Sequence, residues 1–332
     1  MRCQPRATSA AGPDDASIVA RGAQPSYTVW MMFRFAALVA ATLAIASPAF
    51  AQRVPFTRTF EIGASPALEV TTGRGKIAVR SGAPGRIVVH GTVTVRVGAD
   101  VPADALAIAQ RIAADPPVRH TGDIVELTTP TDSRERRAVT VSYEVEVPPS
   151  SQVKTTSGSG ETSVAAIDGP VSVQTQSAEI SVVRTGGATS IVTGSGAVLV
   201  DDVTGDVSVK TSSSGITARA IRGGLRVETG SGAVDVSLTG AGPVHVRTSS
   251  SGVQLRGLAG AADVDTGSGR ITVVLAPATA VRVDLTTGSG SIDVKTLGVA
   301  GTIEKRRAVG TVGAGGPEVK LVSRSGSIRI TR

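Results

Sequence analysis

The residues best suited to chemistry are aspartates that recur near turns. Asp201, Asp202 and Asp206 lie close together around Gly205. Carboxylates that converge on a sugar chain are the catalytic groups of glycoside-cleaving enzymes. Asp is also an ordinary turn residue, because its short side chain bonds to nearby backbone, and we favour that interpretation. Four further aspartates stand near later turns or on outward strand positions: Asp235, Asp263, Asp265 and Asp293.

Histidine and serine form no recognisable catalytic or metal-binding set in the sequence. His90, His120 and His245 are far apart, and no cysteine lies near them as a second metal ligand. Three serines stand in Gly-Ser-Gly turns, but they lack the flanks of a nucleophile elbow: Ser195, Ser231 and Ser268. The sequence therefore predicts no catalytic residue, no metal and no cofactor, and we expect a protein that is not an enzyme.

Most of these residues belong to an internal repeat that would have to position them. The pattern Thr-x-Ser-x-x-Val/Ile begins at six threonines: Thr193, Thr211, Thr229, Thr248, Thr266 and Thr287. Successive copies are 18 to 21 residues apart. Looser copies begin at Ser157 and Thr175, and another at Ser323 lies two periods beyond Thr287. An early copy at Thr72 is out of phase with the series. Such a period is typical of a stacked repeat architecture.

Apolar residues alternate within each repeat unit, which predicts two short strands per unit. Val198, Val200 and Val203 show the pattern in one unit. One turn is the Thr-x-Ser segment, and the other carries a glycine, which we expect at positive φ. These glycines are Gly169, Gly187, Gly205, Gly223 and Gly260. Because so short a unit cannot bury its own apolar face, the units must stack.

The predicted fold is all-β, a single-stranded β-solenoid of about 18 residues per coil. An antiparallel sandwich is the alternative, but its loops would vary more in length. In the solenoid the six repeat threonines would form a polar ladder whose hydroxyls bond along the stack. We interpret this ladder as structural rather than as a ligand surface.

Three segments follow from these patterns. Residues 1–51 form an N-terminal extension with a signal peptide at 31–51, and residues 151–332 hold the solenoid repeats. Residues 52–150 are less regular and would form an N-terminal cap with the first strands. Within them the alanine-rich stretch 102–114 predicts one short helix, ended by two prolines. Residues 132–137 are expected to form a charged loop.

The segment 31–51 has the features of a secretory signal. Arg34 precedes an apolar stretch, and an Ala-x-Ala site places cleavage between Ala51 and Gln52. Residues 1–30 fit either an over-extended gene start or a long basic region before the apolar stretch. No later segment is apolar enough to span a bilayer. We therefore expect an exported chain, periplasmic or extracellular, with no transmembrane segment after cleavage.

Composition excludes several classes of protein. Aromatic residues make up 2% of the 332 residues, hydrophobic residues 41% and charged residues 18%, with 39 glycines and 17 prolines. This combination argues against disorder, which needs low hydrophobicity and high charge. The net charge is +7, but the basic residues are scattered. Without aromatic residues in the repeats to stack on bases, nucleic acid is not an expected partner.

The series of repeats, with its entry strand and its ending, resembles a known family. The entry is Val145-Glu-Val147-Pro148, and residues 315–330 form the ending. Together with the Thr-x-Ser units between them, they are similar to the DUF4097 proteins, also described as adhesin-like or toast-rack domains. The resemblance covers roughly residues 60–332. It implies a β-solenoid at the bacterial envelope with no established enzymatic activity.

These observations favour an exported, non-enzymatic, adhesin-like module that binds or scaffolds the cell envelope. Its partner would be an envelope polymer or an envelope protein. One alternative is an envelope-stress sensor that acts through a membrane partner, as some relatives of the resembled family do. The other is a carbohydrate-active β-helix enzyme that uses the aspartates around Gly205.

Overall fold

The structure, a computed structural model, describes residues 52–332. The predicted signal peptide and the extension before it lie outside the described residues, so the expected cleavage after Ala51 stays a prediction. Within residues 52–332, no helix has the length and apolar character needed to cross a membrane.

Two long β-sheets enclose one continuous apolar core. Sheet A has 13 strands and sheet B has 14. Throughout the repeats the strands pair in parallel, and the chain alternates between the sheets. This arrangement confirms the predicted β-solenoid and rules out the antiparallel sandwich.

The N-terminal region, residues 52–151, supplies seven strands and two helices. They are β1 (Arg53–Glu61), β2 (Ala67–Thr72), β3 (Ile77–Ser81), β4 (Arg86–Val95), α1 (Ala105–Ala114), β5 (Val118–Thr121), β6 (Ile124–Leu127), α2 (Ser133–Ala138) and β7 (Val139–Val147). In sheet A, β4 runs antiparallel to both β1 and β7. In sheet B, β6 pairs with β2, and β5 runs antiparallel to β6. Strands β6 and β7 pair in parallel with β2 and β3 of the first coil, and the antiparallel strands extend each sheet beyond them, so this region covers the end of the stack.

The first coil, β2 and β3, is separated in sequence from the second. Thr72 pairs with Ser157, and Ile77 pairs with Thr162. In the structure the early repeat copy at Thr72 therefore aligns with the other copies in the stack, although its interval to Ser157 in sequence is not a multiple of 18. The intervening chain, residues 82–151, forms strands β4 to β7 and both helices. Because of this insertion, the spacing in the sequence does not show that the first coil is aligned with the second.

Two helices are present where one was expected. Helix α1 lies inside the predicted stretch 102–114 and buries Ile108 and Ile112. The expected charged loop at 132–137 is wrong, because α2 forms there. The carboxylate of Asp132 accepts hydrogen bonds from the backbone N–H groups of Arg134, at 2.7 Å, and Glu135, at 3.1 Å. This N-cap satisfies donors that would otherwise be unpaired and starts the short helix.

The repeat region contributes fourteen strands, odd-numbered ones in sheet A and even-numbered ones in sheet B. They are β8 (Gln152–Ser157), β9 (Thr162–Ile167), β10 (Val171–Thr175), β11 (Ile180–Thr185), β12 (Thr189–Thr193), β13 (Val198–Val203), β14 (Val207–Thr211), β15 (Ile216–Ile221), β16 (Leu225–Thr229), β17 (Val234–Leu238), β18 (Val244–Thr248), β19 (Val253–Leu258), β20 (Ala262–Thr266) and β21 (Ile271–Leu275). Each consecutive pair makes one coil. Equivalent positions of neighbouring coils pair directly, as Val198 does with Ile180 and Ile216. Their inward side chains are β-branched or aliphatic and fully buried, which suits a pleated, narrow core.

One corner of the coil contains a residue in the left-handed region. The column consists of Ala166 (φ 58°), Arg184 (φ 56°), Asp202 (φ 53°), Ala220 (φ 51°) and Gly257 (φ 75°). The residue at this corner is skipped in the strand pairing of sheet A. Val183 pairs with Asp201 and Thr185 pairs with Val203, so the pairing passes over Arg184 and Asp202. This extra residue shifts the alternation, which explains the interval of three between Val200 and Val203.

The expectation that the turn glycines adopt positive φ is wrong, since none of the five is in that region. They are instead required by close approach between coils. A Cβ on Gly205 would lie 2.3 Å from the carbonyl oxygen of Gly187, and a Cβ on Gly223 would lie 2.3 Å from that of Gly205. Any side chain would therefore push neighbouring coils apart at this corner.

The last strands do not stack in sequence order. They are β22 (Val281–Thr287), β23 (Ile292–Asp293), β24 (Ala300–Ile303), β25 (Arg307–Val312), β26 (Glu318–Ser323) and β27 (Ile328–Thr331). Strand β26 lies between β20 and β22, and β27 lies between β21 and β23. Ser323 thus pairs with both Thr266 and Thr287, so it does not follow Thr287 in the stack as its spacing suggested. The antiparallel hairpin of β24 and β25 covers β22.

Candidate functional site

A shallow groove with mostly apolar walls lies on the sheet B side of the solenoid repeats. It has a volume of about 450 Å³ and runs across the beginnings of successive sheet B strands, from Gln152 to His245. Its walls are mostly apolar, with Pro170 and Pro243 on two of the coils. Because it crosses several coils, it is suited to an extended ligand rather than a compact one.

A row of serines follows the groove. Ser172 pairs with Ser190 and Ser190 with Ser208, and the next residues in the same column are Arg226 and His245. Parallel strands lie about 4.8 Å apart, so the row repeats hydroxyls at that interval. The sequence analysis did not single out this row, although the interval of 18 residues between the serines was a signal for it.

The aspartates around Gly205 are not brought to one site. Asp201 pairs with Val183 on sheet A, and Asp202 forms an ion pair with Arg222 at 3.4 Å. Asp206 lines the groove, but its carboxylate accepts a hydrogen bond from the backbone N–H of Gly224 at 2.7 Å. Asp202 and Asp206 are therefore held by their neighbours in the stack.

The other aspartates of sheet A also face cations. The carboxylate of Asp235 lies 2.6 Å from the guanidinium of Arg256, and that of Asp293 lies 3.2 Å from Arg329. Exposed pairs of this kind contribute little stability, because water screens them. On sheet B, Asp263 pairs in register with His245, and Asp265 pairs with Arg247.

The three histidines remain apart in the structure. His90 Nδ1 lies 3.1 Å from the Thr57 hydroxyl, and the His120 ring lies 5.2 Å from the ring of Phe60. His245 stands at the end of the groove. Within residues 52–332 there is no group of three His, Cys, Asp or Glu side chains arranged to hold a metal ion.

The six ladder threonines occupy one buried column at the turn corner, each at most 8% exposed. Three of their hydroxyls bond to turn carbonyls of a neighbouring coil: Thr211 to Gly194 at 3.4 Å, Thr266 to Ser251 at 3.2 Å and Thr287 to Gly326 at 2.7 Å. The hydroxyls of Thr193, Thr229 and Thr248 have no hydrogen-bond partner among the described residues. The column is enclosed by the turns, so its hydroxyls are not presented to a ligand.

Mixed charges cover the sheet B face beyond the serine row. Glu228 contacts Arg226 at 2.7 Å and Lys210 at 3.5 Å. The hydrogen bond from Arg226 lowers the pKa of the Glu228 carboxyl below its usual value. The sheet B face therefore passes from the serine row to a segment of mixed charge.

Comparisons with known proteins give only distant likenesses. No family model matches the chain, and no curated protein matches it. Among solved structures, a putative cell adhesion protein from Clostridium sporogenes is 13% identical, with a TM-score of 0.22, over 84% of this chain and 99% of that one. A putative adhesin from Bacteroides fragilis is 13% identical, with a TM-score of 0.27, over 84% of this chain and 96% of that one. At these values the function has to be inferred from the geometry of the chain itself.

Proposed function

We propose that the protein is an exported, non-enzymatic module that binds a polysaccharide strand of the cell envelope in the sheet B groove. The observation that carries this proposal is the continuity of the groove over successive coils. A cleft that lies along the stack axis can accommodate a polymer of repeating units.

The groove lining supports a sugar chain as the occupant. Sugar rings have apolar faces and polar edges, which match apolar walls beside the hydroxyls of Ser172, Ser190 and Ser208. The repeat of about 4.8 Å between coils lets equivalent hydroxyls contact successive units. Arg226 and His245 at one end would add donors to an acidic or hydroxyl-rich unit.

Export and envelope location are parts of the same proposal, and they rest on the signal features of residues 31–51. The adhesin-like role implied by the DUF4097 resemblance agrees with a binding module. The Asp206 carboxylate in the groove is occupied by the Gly224 N–H, which favours a structural role for it over a catalytic one.

The test is co-sedimentation of the purified protein with peptidoglycan and with outer-membrane material. Each fraction is used at low salt and at about 1 M salt, where the Debye length falls to about 3 Å. We expect salt-resistant binding to one polysaccharide fraction. Binding that disappears at high salt would show generic attraction by a basic protein. Absence of binding to every fraction would refute the polysaccharide proposal and leave a protein partner, as in the stress-sensor alternative.

A further inference from the structure

A second pocket, at the N-terminal end of the stack, is distinct from the sheet B groove. It lies between the first-coil turn at 73–75, helix α2 and the beginning of β7, and has a volume of about 420 Å³. Small-molecule sites usually have volumes of about 300–1,000 Å³. We call it the arginine pocket, because four of its lining residues are Arg74, Arg96, Arg136 and Arg137.

The charge of the arginine pocket is not balanced by its own walls. No aspartate or glutamate is among its lining residues. Among the residues that the structure describes, none of the ten ion pairs includes any of the four arginines. The neighbouring Arg111 and Arg134 differ, since they pair with Glu135 and Asp104. A concave surface that concentrates charge of one sign attracts ligands of the opposite sign.

Two of the four guanidinium groups are fixed by backbone carbonyls. Arg96 Nη1 donates to the carbonyl oxygens of Arg136, at 3.4 Å, and Arg137, at 3.3 Å. Arg136 Nη1 donates to the carbonyl oxygens of Thr131 and Pro130. Each guanidinium has five N–H donors, so further donors remain for a ligand. Fixing the side chains in advance lowers the entropic cost of binding.

Two acids lie near these arginines in sequence: Glu135 pairs with Arg111 at 2.6 Å, and backbone groups engage the carboxylate of Asp132. Its Oδ1 accepts from the N–H groups of Glu135 and Arg134. These bonds, with a smaller contribution from Arg136 and Arg137, lower the pKa of Asp132. The Asp132 carboxylate caps α2. Its single negative charge does not balance four cations, so the cluster keeps an excess of positive charge.

We propose that the arginine pocket binds a phosphate group carried by a small molecule or a headgroup. Guanidinium groups match phosphate geometry with paired N–H donors. A phosphate monoester carries nearly two negative charges at neutral pH, so it neutralises several arginines better than a single carboxylate does. This site is independent of the polysaccharide groove.

The test is calorimetric titration of the purified protein with inorganic phosphate at constant ionic strength. We expect saturable binding. The variant Arg74→Gln/Arg137→Gln removes the two guanidinium groups of the pocket that make no hydrogen bond to other residues in the described part of the chain. It should weaken phosphate binding at least about tenfold, because hydrogen bonds to charged groups are the strong ones. The matched control is Arg270→Gln/Arg306→Gln, which removes the same charge from exposed residues outside the pocket. Phosphate affinity of this control should stay within about twofold of the unaltered protein.

Equal weakening in both double variants would show an effect of net charge and would overturn the proposal, as would the absence of saturable binding. Unchanged circular dichroism and Tm in both variants would show that they fold. Two further arms identify the source of the phosphate. Tighter binding of glycerol 3-phosphate than of inorganic phosphate would support a soluble phosphomonoester. Binding to vesicles that contain phosphatidic acid, a lipid with a monoester phosphate, would support a lipid headgroup if phosphate displaces it and Arg74→Gln/Arg137→Gln loses it.

Discussion

Replacing Gly205 with alanine tests the close packing of coils at the turn corner. The new Cβ would lie 2.3 Å from the carbonyl oxygen of Gly187 and 2.5 Å from its carbonyl carbon. Reaching ordinary contact requires a displacement of roughly 1 Å. Both contacting atoms are backbone, and the adjacent residues Gly186 and Ala188 are hydrogen-bonded to a neighbouring coil, so neither atom can move as a flexible side chain would.

The expected cost follows from these distances. Overpacking typically costs about 1–3 kcal/mol, and a rigid backbone contact places Gly205→Ala at the upper end. Loss of unfolded-state freedom offsets about 0.4–1 kcal/mol of this. We therefore expect Gly205→Ala to lower the free energy of unfolding by about 2 kcal/mol, which corresponds to a fall in Tm of about 4–8 °C.

Gly215→Ala is the matched control, because a Cβ on Gly215 would meet no atom within 4 Å. It keeps the entropic gain without the contact, so its Tm should be unchanged or slightly raised. Thermal unfolding of both variants, followed by circular dichroism of the β signal, measures the difference. Equal Tm values for the two variants would refute the explanation based on close approach.

Five further substitutions test other features of the fold. Ala220→Gly should raise the free energy of unfolding by about 0.5–1 kcal/mol, because it relieves a side chain at φ 51°. Gly257→Ala, in the same column at φ 75°, should lower it by at least about 1 kcal/mol, and urea unfolding checks both. Thr229→Val should be neutral or stabilising, since the Thr229 hydroxyl has no partner. Thr287→Val should lower the free energy of unfolding by about 1–2 kcal/mol, because it removes the 2.7 Å hydrogen bond from the Thr287 hydroxyl to the Gly326 carbonyl. Similar Tm values for Thr229→Val and Thr287→Val would contradict this difference. Burial raises the pKa of the Tyr143 hydroxyl far above its usual value of about 10. As the pH rises, the unfolded chain therefore loses the Tyr143 proton before the folded chain does, so the free energy of unfolding should fall above about pH 10. The fall should be smaller in Tyr143→Phe. Urea midpoints of both proteins at about pH 8 and about pH 11 measure this difference.

The strands of the repeats could be predicted from sequence because local patterns determine them. Alternating residues such as Val198 and Val200 mark a strand, and the constant interval between copies marks a stack. Neither signal depends on a distant part of the chain. The interval of three between Val200 and Val203 is also a local signal of the left-handed corner, because strict alternation would place apolar residues two apart.

The order of the coils could not be predicted in the same way. The last coil inserts between β20–β21 and β22–β23, and nothing local in residues 318–331 specifies which neighbours it takes. The first coil likewise lies next to β8 and β9 only after a long insertion. Such pairings are decided by which apolar edge remains uncovered, a property of the whole fold.

The candidate sites were the hardest to foresee. The serine row was accessible through its period, but the groove walls depend on how six corners align. The arginine pocket joins Arg74 to Arg136 and Arg137, which are far apart in sequence and meet only because the insertion folds over the first coil. The aspartates that drew attention first proved to be partners of nearby cations and backbone N–H groups.

The most direct measurement of the central claim compares two tryptophan substitutions on opposite faces of two neighbouring coils. Ser190 lies on the sheet B face within the groove, and Ser181 faces outward on sheet A. Binding of each variant is measured against the polysaccharide fraction that retains the protein at high salt. We predict that Ser190→Trp abolishes this binding because the ring fills the groove, and that Ser181→Trp leaves it unchanged. Retention of binding by Ser190→Trp, or equal loss in both variants at unchanged Tm, would contradict a polysaccharide site in the sheet B groove.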